Sequence, residues 1–392
     1  MFKIKQSELP NVYNIIFSLI LVWDVKFSGI LTFHDNFLDL NILEGLKGFA
    51  SISICFGHLN YETKKKSGII FSIPFNVINL FPAFFFFCSG FDIMKSHLTK
   101  KDYLNNFLKS RFLKTLISFY TSNTIFLIMS IYFKNYYSEP FPLYKQFNYY
   151  NFFCSLFGIH LCCSYHWFMI DLLLLYLLFY ITFKYIKNKY ISIFIMQSIN
   201  LYLFSFCKKN YSLYKWFERL DYHDSVYSFY FGMILAIFEK QIIYIVKKLY
   251  LLFFIYALFN LKFLYNFKIP NFYTKSIKVN YENTFKYLFY LNVMYFRFYS
   301  AILIISMKFL LNNKILNFLG KYYLEIYLYH NLIISNFMNS NIQVKNILLR
   351  YMVYTGLLIE IGFIFQTIHQ IIINSLIEEK KELYETKKIK NN

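Results

Sequence analysis

The sequence predicts an all-α fold, a polytopic transmembrane helix bundle. Three observations carry that expectation. Of 392 residues, 57% are hydrophobic and only 16% are charged, against roughly 25% charged in a soluble domain. Apolar stretches near 20 residues recur along the chain, the length at which a helix crosses about 30 Å of hydrocarbon. None of these stretches alternates with a period of two, so a barrel is not indicated, and helices satisfy the backbone internally. The 23% aromatic content excludes a disordered chain. Eleven Gly and six Pro are too few for a collagenous or linker-rich one.

The elements follow in order. Lys3 and Lys5 precede an apolar run, Val12 to Trp23, as in a signal segment. Asp24 and Lys26 stand where small residues would mark a cleavage site. Residues 1–39 are therefore read as a retained extension, an interfacial or extra short helix. Spanning helices are expected near 40–59, 69–91, 112–133, 166–186, 190–206, 225–239, 249–261, 287–311, 315–338 and 347–373, about ten in all. A further apolar piece near 151–163 is re-entrant or another span. The stretch 225–261 is the least regular, because Glu239, Lys240, Lys247 and Lys248 interrupt it. Residues 262–286 form the longest polar connection. The transmembrane domain is placed at 40–377, with a charged tail over 378–392.

Charge and cysteine usage narrow the partners. The net charge is +20, from 41 Lys+Arg and 21 Asp+Glu. The cations fall in short groups between apolar stretches, such as Lys64-Lys65-Lys66, Lys100-Lys101 and Lys247-Lys248. That pattern fits loops meeting anionic headgroups of a cell membrane, not a basic face for nucleic acid. Lys and Arg divide almost evenly between the two sides, so orientation is left open. The six Cys show no Cys-x-x-Cys pair and read as small apolar residues. No metal site is expected, and no phosphate-loop or dinucleotide fingerprint is present.

The segment Leu43 to Asn60, LEGLKGFASISICFGHLN, departs most from a plain span. It carries Glu44, Lys47 and His58. Lys47 and His58 are eleven residues apart, within about 20° of three full turns, so they share a face roughly 16 Å apart along the axis. Glu44 lies one turn before Lys47, close enough for a helical ion pair. Ionisable groups in a membrane helix cost several kcal/mol unless they face protein or water. The bland alternative is a snorkelling Lys47 and a headgroup-level His58.

This stretch resembles the first helix of the acyltransferase family 3 membrane proteins, where an acidic residue, an Arg-Gly pair and a later His form a signature. Phe84 to Phe91, FFFFCSGF, resembles the family's aromatic run ending in Ser-Gly-Phe. Arg111 to Lys114, RFLK, resembles its basic pair, and His166-Trp167-Phe168 resembles the entry to a later helix. Leu319 to His330, LGKYYLEIYLYH, resembles its late motif. The likeness runs from about 43 to 370. Lys47 stands where the family mostly has Arg, keeping the charge without the planar fork. Tyr322 stands where Ser is common, and Tyr323 supplies the Tyr.

The resemblance implies a transferase moving acyl groups other than aminoacyl groups. It implies an acyl chain, expected to be acetyl, passing from acyl-CoA as donor substrate to a hydroxyl of a cell-surface glycan or related acceptor, with no bound cofactor. A sugar hydroxyl needs its proton removed, and an imidazole suits that task at neutral pH. His58 is accordingly the expected general base. Glu44, Lys47 and Arg111 are expected at the donor's polar end. His166, Trp167 and His330 are expected around the substrate, with the three imidazoles converging. The alternative is a transporter of a glycan or lipid-linked substrate, since polar groups inside a bundle also mark substrate paths.

Overall fold

The computed structural model describes residues 19–29, 31–67, 80–132, 153, 166–209, 225–265, 281–339 and 347–390. The expected segment 151–163 and the first eighteen residues lie outside these, apart from Phe153. The helices are α1 (Leu40–Ser67), α2 (Leu80–Thr99), α3 (Tyr103–Phe107), α4 (Leu113–Tyr132), α5 (Trp167–Tyr185), α6 (Lys189–Lys209) and α7 (Tyr227–Ile237). They continue with α8 (Glu239–Lys248), α9 (Tyr250–Tyr265), α10 (Tyr281–Ser306), α11 (Lys314–Lys321), α12 (Tyr323–Asn339) and α13 (Ile347–Lys390). A π-helical turn, Leu108–Phe112, joins α3 to α4. The only sheet among the described residues is a two-stranded antiparallel ribbon, β1 (Lys26–Phe27) with β2 (Phe309–Leu310). The fold is all-α in character.

Three described helical stretches are long and apolar enough to cross a membrane: Trp167–Tyr185, Phe289–Ser306 and Met352–Ser375. A fourth arises if the bent pair α7–α8 counts as one span. Residues 69–79 of the expected span 69–91 lie outside the described residues. Helices α1 and α2 do not meet that criterion over their described residues, for a physical reason. Helix α1 carries a polar stripe, and α2 is enclosed by protein. Phe84, Phe85, Phe86 and Phe87 are all buried, as are Ser89, Asp92 and Ser96. A helix surrounded by neighbours need not present an apolar surface to lipid.

Two pairs of glycines set the helix packing. A Cβ on Gly90 would overlap the Phe229 carbonyl, and one on Gly232 would overlap the Phe87 carbonyl. Helices α2 and α7 therefore touch backbone to backbone, the use of small residues expected in membranes. A Cβ on Gly48 would overlap the Gly320 backbone, and one on Gly320 the Glu44 carbonyl. This second contact seats α11 on α1.

The expected span 315–338 is broken at Tyr322 into α11 and α12. The Asn313 side chain accepts from Leu316 N–H at 2.8 Å and starts α11. The expected span 225–239 likewise ends at Phe238, where α8 turns away by 82°. The charges that made this stretch irregular explain the turn. In α8, Glu239, Lys240, Lys247 and Lys248 alternate with Ile242, Ile243 and Val246, an amphipathic pattern suited to the headgroup level. Glu239 receives a bond from Lys95 of α2 at 2.8 Å.

Residues 19–22 form a helical turn, and the chain from there to α1 is tied to the α10–α11 connection. The Asn313 amide donates to the carbonyls of Ile20 and Trp23, and Lys308 donates to those of Gly29 and Thr32. Asp35 pairs with Lys247, whose ammonium holds the carboxyl below its ordinary range.

Candidate functional site

The site is assembled by the Gly48–Gly320 contact. Because α11 lies against the first half of α1, helix α12 leaves Tyr322 alongside the same face of α1. Two clusters result, one at each end of that face.

The first surrounds Lys47. Its ammonium lies 3.0 Å from an Asp92 oxygen of α2, and both residues are buried, at 8% and 5% exposure. The Tyr323 ring of α12 faces the same ammonium at 5.6 Å, and the Cys88 thiol adjoins the pair. Arg111 lies within electrostatic range of Asp92 without an ion pair to it, with the Tyr103 and Tyr176 side chains beside it. Arg111 belongs to the π-helical turn, a local widening that frequently accompanies functional residues. Lys47 thus pairs with the Asp92 carboxylate, and Arg111 adds a second positive charge nearby.

The second cluster surrounds His58. Its ring stacks on that of His330 from α12, with centroids 5.1 Å apart and planes 23° from parallel. His330 Nδ1 donates to the Tyr327 carbonyl of its own helix. A carbonyl only accepts, so this bond puts a proton on Nδ1, and in the neutral ring Nε2 then keeps its lone pair. His166, at the start of α5, is buried close to His330. The edges of Phe119 and Phe126 hold it, at 6.1 and 5.0 Å between ring centres. Three imidazoles from α1, α5 and α12 therefore gather in one place. Along α1 the two clusters are roughly 16 Å apart.

Other expected residues lie elsewhere. Glu44 is half-buried and makes no ion pair among the described residues; the expected helical pair with Lys47 is replaced by the pair to Asp92. Burial decides this, since a buried ammonium needs a partner that is itself shielded from water. Trp167 packs on Phe86 and Phe168 in the aromatic core. Lys321 is exposed on α11.

Sequence reasoning passed over three groups. Asp92 is a carboxylate inside an apolar run, which is itself a warning. Tyr323 faces Lys47. The third is a buried cluster joining α4, α12 and α13, in which His369 Nδ1 lies 3.1 Å from Glu325 and 3.2 Å from the Ser118 hydroxyl. His369 and Glu325 are ionisable residues within apolar helices, so the same warning applied to them.

A family model described as an acyltransferase domain, Acyl_transf_3, matches residues 40–366. The chain belongs to the acyltransferase 3 family. No curated protein and no solved structure matches it. The acyltransferase domain opens with the first residue of α1 and includes both clusters. It ends three residues before His369, so the Glu325–His369 contact ties the acyltransferase domain to the part of α13 just beyond it. The motif glycines of this acyltransferase 3 chain, Gly48, Gly90 and Gly320, are the close-approach points of its helices.

Proposed function

We propose that this membrane-type acyltransferase moves an acetyl or similar short acyl group from acyl-CoA to a hydroxyl of a cell-surface glycan or related acceptor, in a domain of about ten spans in the cell membrane. The observation that carries the reading is the stacked His58–His330 pair inside the bundle, on the same face of α1 as a buried cation.

His58 is the general base. A ring nitrogen takes the acceptor's O–H proton as the oxygen attacks the thioester carbonyl. The C–S bond breaks, and the thiolate leaves with the proton returned from the imidazolium, so His58 ends unchanged. His330 braces the His58 ring and presents a second unprotonated nitrogen. His166, beside His330, faces the acceptor, and Trp167 supports that wall from the aromatic core. Lys47 and Arg111 meet the anionic end of the donor, with Glu44 one turn before Lys47 on α1. Lys47 acts there as a point charge, since an ammonium lacks the bidentate fork of Arg.

The test uses purified protein in vesicles given acyl-labelled CoA and a hydroxyl acceptor. Label appearing on the acceptor, and absent from vesicles carrying His58→Gln, supports the reading. Movement of intact acceptor across the vesicle wall without label transfer would overturn it in favour of the transporter.

A further inference from the structure

Helix α2 is buried without a break from Ala83 to Met94. A helix enclosed on every side runs through the interior of the bundle, so its C-terminal end emerges inside the ring of outer helices and away from the lipid edge. The chain that follows is basic. From Lys95 to Lys114 it reads KSHLTKKDYLNNFLKSRFLK, with six cations and one carboxylate, Asp102. Lys95 is already paired with Glu239. Lys100, Lys101 and Lys109 are exposed and make no ion pair among the described residues.

Local structure places these three lysines near the half-buried Arg111. Asp102 takes a left-handed conformation, φ 55°, which an Asp tolerates. The chain reverses there, so Lys100 and Lys101 stand at the apex of the α2–α3 turn. Helix α3 packs Phe107 against Tyr176, Phe179 and Tyr180 of α5. Asn105, Asn106 and Lys109 are left exposed to water. The Tyr103 side chain adjoins both Ser96 of α2 and Arg111, which holds the turn against the π-helical segment. Lys109 belongs to that segment with Arg111.

Position separates this group from the lysines that meet lipid. Lys240 and Lys248 lie on α8, no residue of which is buried. Lys187 and Lys189 adjoin α6, whose Phe194 and Tyr202 are 69% and 68% exposed. Those perimeter cations suit headgroups. Cations on an interior end face suit an anion arriving from water. A patch of one sign raises the local concentration and on-rate of an opposite charge by ~10–10³-fold, steeply reduced by salt. The nucleotide end of CoA carries a diphosphate and a phosphomonoester, together roughly −4. Lys100 stands eight residues beyond Asp92, about 12 Å along the axis. A donor held there by its nucleotide end has its thioester arm free to run past Lys47 toward His58.

We infer that the α2–α3 turn and the π-helical segment form a docking surface for the polyanionic nucleotide end of the acyl-CoA donor, carried by Lys100, Lys101 and Lys109. The inference rests on the proposed function for the identity of the donor. Phosphate suits the surface because lysine ammonium groups bind phosphate oxygens with charge-assisted hydrogen bonds.

The test measures equilibrium binding of unacylated CoA, which has no acyl group to give, to purified full-length protein in neutral micelles. Wild type is expected to bind at low salt and to weaken toward 1 M, where the screening length falls to ~3 Å. Lys100→Gln/Lys101→Gln/Lys109→Gln is expected to bind about tenfold more weakly at low salt, within the range that such a field supplies. The perimeter control Lys240→Gln/Lys248→Gln is expected to match wild type. A triple variant that binds CoA as wild type does, or a control that weakens as much, would overturn the inference. Phosphatidylglycerol added at equal phosphate is expected to leave CoA bound. Displacement would assign the three lysines to headgroups and be equally fatal. Should the triple variant not fold, Lys100→Gln and Lys109→Gln are read singly, each expected to weaken CoA about twofold. No change in either would sink the docking surface. The expected binding without label transfer from acyl-CoA would refute the acyltransferase reading and leave the CoA surface standing.

Discussion

Lys47 and Asp92, from two different helices, meet at 3.0 Å in the interior of the bundle with Tyr323 closing over the ammonium. The pair fixes α1 against α2 at the level where Arg111 also arrives. Removing one partner strands the other as a buried charge, at a cost of about 3–5 kcal/mol. Asp92→Ala is therefore expected to lower the thermal midpoint in detergent sharply. The double variant Lys47→Met/Asp92→Leu is expected to recover most of that stability and none of the activity. A double variant as unstable as the single one would contradict the pairing.

The glycine contacts predict a contrast between two positions. At Gly90 any side chain meets the Phe229 backbone, so Gly90→Leu must separate α2 from α7. A loss of at least 1–3 kcal/mol is expected, as for overpacking in a filled core. At Gly356 of α13 nothing lies within 4 Å of an added Cβ. Gly356→Ala is expected to stabilise by a few tenths up to about 1 kcal/mol, since it only removes helix-interior glycine. Thermal unfolding of both variants checks the pair of expectations.

His330→Phe separates stacking from nitrogen chemistry at the imidazole cluster. A phenyl ring retains the flat contact with His58 and loses the Nε2 lone pair. The variant is expected to fold normally and to lose roughly tenfold in kcat, about 1.4 kcal/mol, with donor KM unchanged. An unaltered kcat would reduce His330 to packing.

The Glu325–His369 contact predicts that the chain needs more than its matched domain. His369→Leu leaves the buried Glu325 carboxylate without its imidazole, and about 1–3 kcal/mol of stability is expected to go with it. Unfolding midpoints of His369→Leu and of the double variant Glu325→Leu/His369→Leu decide the matter. The double variant is expected to be the more stable of the two.

Much of this arrangement was legible in the residues. The common face of Lys47 and His58 followed from helical spacing, and its enclosure by protein is what the cost of charge in lipid demands. The helical class followed from composition. The partners were not legible, because they come from elements far apart in sequence. Asp92 lies 45 residues from Lys47, and no local pattern says which carboxylate a buried ammonium will meet. Glu44 was the nearest candidate in sequence and is not the partner. The break at Tyr322 was hidden for a similar reason: apolar periodicity runs through it, and only the close seat of Gly320 on α1 makes the chain turn there. The bend at Phe238 was half visible, since the charges after it argued against a straight span.

The most direct test of the central claim measures the rate of acyl transfer in vesicles by His58→Gln, with the variant's membrane insertion and thermal midpoint matched to wild type. A general base contributes about 10²–10⁴-fold, so a loss in that range is expected. A His58→Gln protein that transfers acyl groups at the wild-type rate would contradict the account.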